Sequence, residues 1–569
     1  MTTETSDKVD ILKAGGFRPP IAYIKSKNKI KNDIHFDLEL TEGENPYYET
    51  LLDADNDFKK LIIPHISKWH TTDKTFLQET QDILNEDLPT IPDDNEIMSI
   101  RNELQNNNDF MNKYDYVEWK YLSFLNENST AMQFFSLYNI CSPVLSLALP
   151  LFMLIIPFFL IRLQNVEITW ASYYEYLQMT LKNHSLGQIF YINSATWDKR
   201  VMIIISLIFY FVQVYFNCQS CIKFIQNMKT IHKNIFVVRD YLTQTCTSMS
   251  IIEESWTNKK TYDPFVKKVK SMKQQTTLLV NKLNRVTPCR VSLSKMMGLG
   301  DVMTAWYTLN MNPISSDIIE YCIQFNSYIS GMTVISNKLK NKTLGLAKYN
   351  KKTNFKQLYY PHIHDDPVKN NIKLTKNMLI TGPNAAGKTT ILKATMLAII
   401  TSQQFGCGYY DSANIKGYTT LHSYINIPDT SGRDSLFQAE ASRCKHILEE
   451  IAANPEETHF CIFDELFSGT NPYEAIGAAT AYLEYINKRK NVTYILTTHF
   501  LDLCKKLNNS SRITNKKMQV NIANEDFVYN YKLINGISGV KGGIKVLKDL
   551  AYPVEIVQNS TKTISTLKI

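Results

Sequence analysis

Nine consecutive residues, Gly382-Pro383-Asn384-Ala385-Ala386-Gly387-Lys388-Thr389-Thr390, have the types and spacing that hold phosphate. The two glycines bound a loop whose backbone N–H groups can curl around phosphate oxygens. A helix starting at the end of that loop adds partial positive charge. Lys388 would reach the β- and γ-phosphates, and Thr389 would ligand Mg²⁺. The apolar run Met378-Leu379-Ile380 precedes the loop, and Ile391 to Leu397 reads as the helix that follows. Strand, loop and helix together separate a nucleotide-binding P-loop from a plain glycine-rich turn.

A second cluster lies downstream. Phe460-Cys461-Ile462-Phe463 reads as an apolar strand ending in Asp464-Glu465, a Walker B pattern. Asp464 would hold the Mg²⁺ shell, and Glu465 would act on the attacking water as general base. Tyr494 to Thr498 reads as a third strand, ending in His499. Such a histidine senses a γ-phosphate or caps the end of a strand. Ser435 opens a helix that continues through Ile447-Leu448. It is either a helix N-cap or a group presented to the ATP of a second subunit.

Positioning these residues takes an α/β domain, and from about residue 350 short apolar runs alternate with helical ones. The polar stretch Asn508 to Asn524 is expected to be a loop. Upstream, Phe76–Asn85, Glu96–Leu104 and Phe265–Leu283 have helical apolar spacing, with a loop over Leu88–Asp94. The 569 residues, 44% hydrophobic and 20% charged, are enough for several folded domains. The ten cysteines are scattered, and the single CxxC, Cys218 and Cys221, has no second pair or histidine at zinc-ligand spacing. Free cysteines in an ATPase region fit a reducing compartment. Met1 to Gly16 is polar, so no secretory signal is expected.

Val144 to Ile161 and Val201 to Phe216 are free of charge. The first is long enough to cross a bilayer, and the second reaches that length with Asn217 to Ile222. Pro150 and Pro157 would break a soluble helix but are tolerated in membrane helices. Trp170, Tyr173, Tyr174, Tyr176 and Trp197 between the runs suit a membrane interface. A membrane hairpin is expected, against the alternative of two buried core helices. It would place both chain ends and the ATP site on the cytoplasmic side, with loop 162–200 across the membrane; Asn183-His184-Ser185 there is a glycosylation sequon. After the second run, Lys223 to Lys295 carries 14 Lys/Arg against 4 Asp/Glu, within a net charge of +8 for the whole chain. That segment fits a polyanion or a solvated helix surface.

From about Tyr360 to Ser560 the motifs, in this order, resemble the C-terminal ATPase domain of the MutS mismatch-repair family. Val368 to Leu374 resembles that family's approach to its P-loop, Gln404-Phe405-Gly406 its Q-loop, and Asp464 to Asn471 its Walker B and D-loop. Thr498-His499-Phe500 resembles its Thr-His-aromatic switch. Tyr529 to Pro553, with Gly536, Ser538, Gly543, Ile544 and Val546, resembles the closing region that packs on a partner subunit. The resemblance implies an ABC-type ATPase working as a homodimer or heterodimer. Gly382 to Thr390, with Gln404, would bind ATP; Thr389 and Asp464 would hold Mg²⁺; and Lys388, Glu465 and His499 would carry hydrolysis. Ser435 of one subunit would complete the site of the other. In relatives this clamp acts on DNA, which makes DNA the implied partner and mismatch repair the implied setting. The chain departs from the pattern at Ala386, Thr389, Asp434-Ser435-Leu436-Phe437 and Phe467-Ser468, and no Phe-x-Glu mismatch-reading module is recognisable near its N-terminus.

The expected architecture is an α/β P-loop ABC-type ATPase domain over 350–569, preceded by a mostly helical region. That region divides into 1–143, a transmembrane hairpin over 144–216, and a basic stretch over 217–349. The expected function is a membrane-anchored, dimeric ATPase that couples ATP binding and hydrolysis to DNA. The alternative is a transporter-like membrane ATPase that does not act on DNA. Against it stand the presence of only two apolar spans and the lack of a Leu-Ser-Gly-Gly-Gln signature.

Overall fold

The computed structural model describes residues 16–106, 109–163, 169–183, 187–287, 298–363, 366–425, 427, 436–523, 526–540, 544, 547–548 and 550–566. The chain forms two compact units. One holds Pro92–Thr247 and Met272–Glu320; the other holds the chain up to Ile91, Ser248–Ser271 and Tyr321 onward.

The first unit is helical. The two apolar runs lie in α1 (Ser129–Leu163) and α2 (Trp197–Ser255). The connection between them is itself largely helical, over Trp170–Asn183 and Gly187–Ser194. Trp170, Tyr173, Tyr174, Leu177 and Leu181 recur at helical spacing, which accounts for the first of these. Polar groups tie α1 and α2 side by side and antiparallel. The Tyr210 hydroxyl donates to the Ser146 carbonyl at 2.9 Å, and Asn217 Nδ2 donates to Ser146 Oγ. Cys221 Sγ lies 3.5 Å from the Ile140 carbonyl.

Many apolar side chains of the two charge-free runs point outward. Phe159, Phe209 and Phe216 are each more than half exposed, and only 6% of the most apolar stretch of α2 is buried. A core helix of a soluble protein would hide that surface. Among the described residues, α2 is long and apolar enough to cross a bilayer.

The second unit carries the α/β part. Strands β1 (Lys27–Lys29) and β2 (Trp69–Thr71) form a small antiparallel pair. A five-stranded sheet follows from β3 (Gly345–Tyr349), β4 (Thr353–Leu358), β5 (Asn370–Leu374), β7 (Cys407–Gly408) and β8 (Ser412–Ile415), in the order β5-β4-β8-β3-β7. The main sheet has six strands: β6 (Asn377–Thr381), β9 (Thr420–Tyr424), β10 (His459–Asp464), β11 (Val492–Thr498), β12 (Ile513–Ala523) and β13 (Asp526–Asn535). Its order is β13-β12-β6-β11-β10-β9, with every pairing parallel except β12 with β13. β6 and β11 are buried along their whole length, as central parallel strands covered on both faces are.

Within the loop expected over Asn508–Asn524, Ile513–Ala523 is instead strand β12, while 508–512 is irregular and Asn524 lies outside the described residues. In β12, Met518, Val520 and Ile522 alternate with polar residues, and pairing with β6 over Ile513–Lys517 and with β13 over Lys516–Ala523 outweighs the polar composition. The predicted helices at Phe76, Glu96 and Phe265 are present as Lys74–Asn85, Asn95–Asn106 and Asp263–Leu283.

Helices α3 (Lys388–Phe405), α4 (Leu436–Ala453) and α5 (Pro472–Asn487) belong to the same unit. α5 starts where its sequence dictates, with Pro472 at the first turn and the Asn471 side chain accepting from Glu474 N at 3.0 Å. Phe463 of β10 is fully buried among Tyr424, Tyr482 and Tyr494, with ring centroids 5.8–6.1 Å away. Phe463→Ala is expected to lower unfolding stability by about 3–5 kcal/mol through the cavity it leaves. Denaturant titration followed by tyrosine-sensitive near-UV dichroism checks this, and a loss under about 1 kcal/mol would contradict the tight core.

The N-terminal segment is built onto the C-terminal α/β part of this unit. Tyr48 OH donates to Gln404 Oε1 at 2.8 Å, and Gln81 Nε2 donates to the carbonyls of Ala347 and Gly406 at 2.7 and 2.6 Å. Lys31 pairs with Glu450 on α4.

Candidate functional site

The parallel register brings three strand ends together. Thr381 of β6 pairs with Thr498 of β11, and Thr497 of β11 pairs with Asp464 of β10. Ligand sites of parallel sheets form beyond such carboxyl ends. Here the residues that follow each strand are the loop Gly382 to Gly387, Glu465 and His499.

The loop from Gly382 to Gly387 leads directly into α3. Ala385 and Gly387 take left-handed backbone angles, φ 61° and 85°. A side chain at Gly387 would also press on the Tyr531 ring at 3.2 Å. No side chain caps the N-terminus of α3, which opens on a cavity lined by Asn384 to Thr390. The cavity measures about 680 Å³, ample for a nucleotide-sized ligand. Its far wall is apolar and aromatic, made by Tyr359, Tyr360, Ile363, Val368 and Tyr531.

The chemistry-bearing side chains meet on the other wall. Lys388 Nζ donates to the Gly382 and Pro383 carbonyls at 3.0 and 3.1 Å and lies 3.2 Å from His499 Nε2. Burial lowers its pKa, with Glu465 and Asp464 pulling the other way. Thr389 Oγ1 donates to Asp464 Oδ2 at 2.8 Å, and Thr497 Oγ1 donates to Asp464 Oδ1. Glu465 Oε1 is 2.7 Å from His499 Nε2. That bond to His499 holds the Glu465 carboxyl below its ordinary range, against the opposing effect of burial and with help from Lys388. Glu465 and Phe467 also have positive φ, 53° and 56°, so the turn after β10 holds backbone strain at the point where the carboxylate enters the cavity.

The predicted residues divide into three groups. Lys388, Thr389, Asp464, Glu465 and His499 converge, and Gly382, Pro383, Asn384, Ala385, Ala386, Gly387 and Thr390 form the loop beside them. Gln404 lies at the far end of α3 and is buried. Its side chain accepts from Tyr48 and donates to the carbonyls of Ile66 and Trp69 at 3.0 and 2.7 Å, and it does not line the cavity. Ser435, with Asp434, lies outside the described residues, as do Gly543 and Val546.

Two residues were missed. Tyr531 covers Gly387, and nothing in the spacing of its strand marks it out. Glu440 on α4 is 2% exposed. Its carboxylate accepts from Ser468 N, Ser468 Oγ and Gly469 N at 3.0–3.1 Å, which ties α4 to the loop after Glu465. A signal existed: Glu440, Cys444, Ile447 and Ile451 form one helical stripe, and an acid on an apolar stripe needs a partner.

Of the basic segment, Lys233, Arg239, Lys259, Lys267 and Lys270 are engaged in ion pairs, with Glu96, Asp240, Asp82 and Glu86, Asp263 and Glu253 respectively. Its usable positive charge is therefore smaller than its composition suggests.

Residues 378–568 match the family described as MutS domain V. The chain is 28% identical over 193 residues to the DNA mismatch repair protein MutS of Pelotomaculum thermopropionicum, covering 34% of this chain and 22% of that protein. It is 30% identical over 212 residues to the DNA mismatch repair protein MutS of Parabacteroides distasonis, covering 37% and 24%. The protein of that name from Desulfatibacillum aliphaticivorans is 25% identical over 208 residues, covering 35% and 23%. The matches thus span less than a quarter of each of these relatives.

Proposed function

Because the chain belongs to the MutS family, as a divergent member matched through its C-terminal domain, we propose that it is a Mg²⁺-dependent ATPase that works as a dimer on DNA while anchored in a membrane. The observation that carries the hydrolytic reading is the Glu465–His499–Lys388 chain of contacts, at 2.7 and 3.2 Å, beside an open helix N-terminus.

In this reading the triphosphate of ATP lies over the loop and its base against the tyrosine wall. Thr389 Oγ1 and the Asp464 carboxylate are hard oxygen donors 2.8 Å apart, suited to Mg²⁺, which when bound neutralises charge on the β- and γ-oxygens. Glu465, kept ionised by His499, orients a water and takes its proton. The water oxygen bonds to the γ-phosphorus as the bond to the β–γ bridging oxygen breaks, leaving ADP and phosphate. Lys388 stabilises the charge on the transferred group. Ser435 of a second subunit would complete the site, and Glu440 would carry the position of α4 to the loop behind Glu465.

The named activity of the relatives supports DNA as the polymer that the cycle acts on, in a repair-related role. The outward-facing apolar side chains of α1 and α2 support membrane anchoring.

The DNA reading is tested by ATPase assays of the detergent-solubilised protein with and without duplex DNA over a salt series. Stimulation is expected at low salt, falling log-linearly with a slope of about 0.9 per phosphate contact. ATPase activity indifferent to DNA even at low salt would remove DNA and leave the transporter-like reading.

A further inference from the structure

The exposed apolar surface of the helical unit begins upstream of Val144, and it begins with aromatic rings. Phe134, Phe135 and Tyr138 of α1 are 71%, 42% and 64% exposed. Just upstream, Trp119, Tyr121 and Phe124 are 67%, 84% and 61% exposed, on or beside the 3₁₀ stretch Lys120–Glu127. That stretch is pinned. The fully buried Asn126 accepts from Val117 N and donates to Val117 O, both at 2.9 Å. Six large rings held outward on an ordered segment mark a surface with a partner.

We propose that Trp119 to Tyr138 forms an aromatic collar lying in the headgroup layer of the bilayer that α1 and α2 cross, so that its partner is lipid. The collar rests on the membrane reading above and specifies how the protein sits in that membrane.

The register of the two helices supports this depth. Ile140 lies beside Cys221, and Ser146 beside Tyr210 and Asn217. Antiparallel helices in that register bring Tyr138 and Phe135 level with Ile222 and Ile225, which are also exposed, at 51% and 40%. At the other end they bring Leu163 level with Trp197, 79% and 78% exposed. From Phe134 to Leu163 the helix covers ~45 Å at 1.5 Å per residue. A bilayer with its headgroup layers is ~40–45 Å thick. The charge-free run Val201–Ile222 of α2 takes up ~33 Å of that length, close to the ~30 Å hydrocarbon core, and the register sets it level with Tyr138 to Phe159 of α1. Tyr138 therefore falls at the edge of the core, and Phe135 and Phe134 lie ~4.5–6 Å beyond it, in the band where aromatic rings concentrate because one side of the residue is apolar and the other wet. Lys120 and Lys223, both exposed, have stems long enough to reach lipid phosphate. A protein partner would need no such match between ring position and bilayer thickness.

The test uses the full-length chain reconstituted into phosphatidylcholine–phosphatidylglycerol liposomes. Tryptophan emission is compared for the wild type and Trp119→Phe, in plain lipid and in lipid brominated near the top of its acyl chains. The difference spectrum belongs to Trp119, and bromine is expected to reduce it roughly twofold. Carbonate extraction of the same liposomes reports separately on the spans. Protein that resists carbonate but shows a Trp119 signal indifferent to bromine would overturn the collar while leaving the spans in place. A Trp119 signal shielded from acrylamide yet indifferent to bromine would overturn it in favour of a protein contact. Protein released by carbonate would overturn the membrane reading and the collar together.

Discussion

Glu465→Gln is expected to slow steady-state ATP hydrolysis by about 10²–10⁴-fold while leaving nucleotide binding within a few-fold of the wild type. The amide keeps the size and shape of the side chain, so Lys388 and the loop keep their surroundings. What it loses is the charge that receives a proton from water. His499 sets that charge, because its contact at 2.7 Å is the main reason the Glu465 carboxyl ionises more readily than its ordinary pKa of 4.5. The sign follows directly. A carboxylate with a depressed pKa remains a competent base as pH falls through the ordinary glutamate range, and activity is lost only below it. The acid limb of the kcat–pH profile is therefore expected below 4.5. His499→Ala removes the main cause of the shift, so the limb should move upward. Fluorescent-ATP binding and phosphate release measure the two halves separately. Equal loss of binding and turnover in Glu465→Gln would assign Glu465 a structural role, and unchanged turnover would remove it from the chemistry.

Replacing residues 144–216 with a short Gly-Ser linker is expected to move the protein from the carbonate-resistant membrane fraction to the soluble one. The two cut ends lie close together, since Ile140 and Cys221 touch at 3.5 Å, so the linker bridges them without strain. The large effect follows from the exposed surface. The charge-free runs show isoleucine, phenylalanine and valine side chains outward, and each such side chain placed in hydrocarbon contributes about 1.5–3 kcal/mol relative to water. All the residues proposed for hydrolysis lie in the other compact unit, so ATPase activity should survive the deletion. Full-length protein that washes off with carbonate would end the membrane reading. Loss of ATPase activity in a folded deletion variant would show that the helical unit is needed for the chemistry.

Much of the candidate site was legible because its residues sit in contiguous runs. A strand feeding Gly382 to Thr390 and then a helix constrains where Lys388 and Thr389 must lie, through backbone geometry alone. The acid pair after Phe463 and the histidine after Thr498 are likewise set by the ends of strands that their apolar runs announce. The misreading of Asn508–Asn524 has the opposite cause. β12 is a strand because β6 and β13 pair with it, and a polar run carries no local trace of its neighbours.

The sequence by itself located the residues proposed for chemistry and the two apolar runs that lie in α1 and α2. Composition and short-range spacing carry that information. The tertiary structure decided which groups share a cavity and which do not. It brought Lys388, Asp464, Glu465 and His499 together through the parallel register of three strands, and it laid Tyr531 across Gly387. It also turned Gln404 toward the N-terminal segment and joined Glu440 to Ser468 and Gly469. Each of these contacts links positions separated by tens to hundreds of residues in the chain. Such contacts form only when the sheet and its covering helices close, so no local periodicity records them.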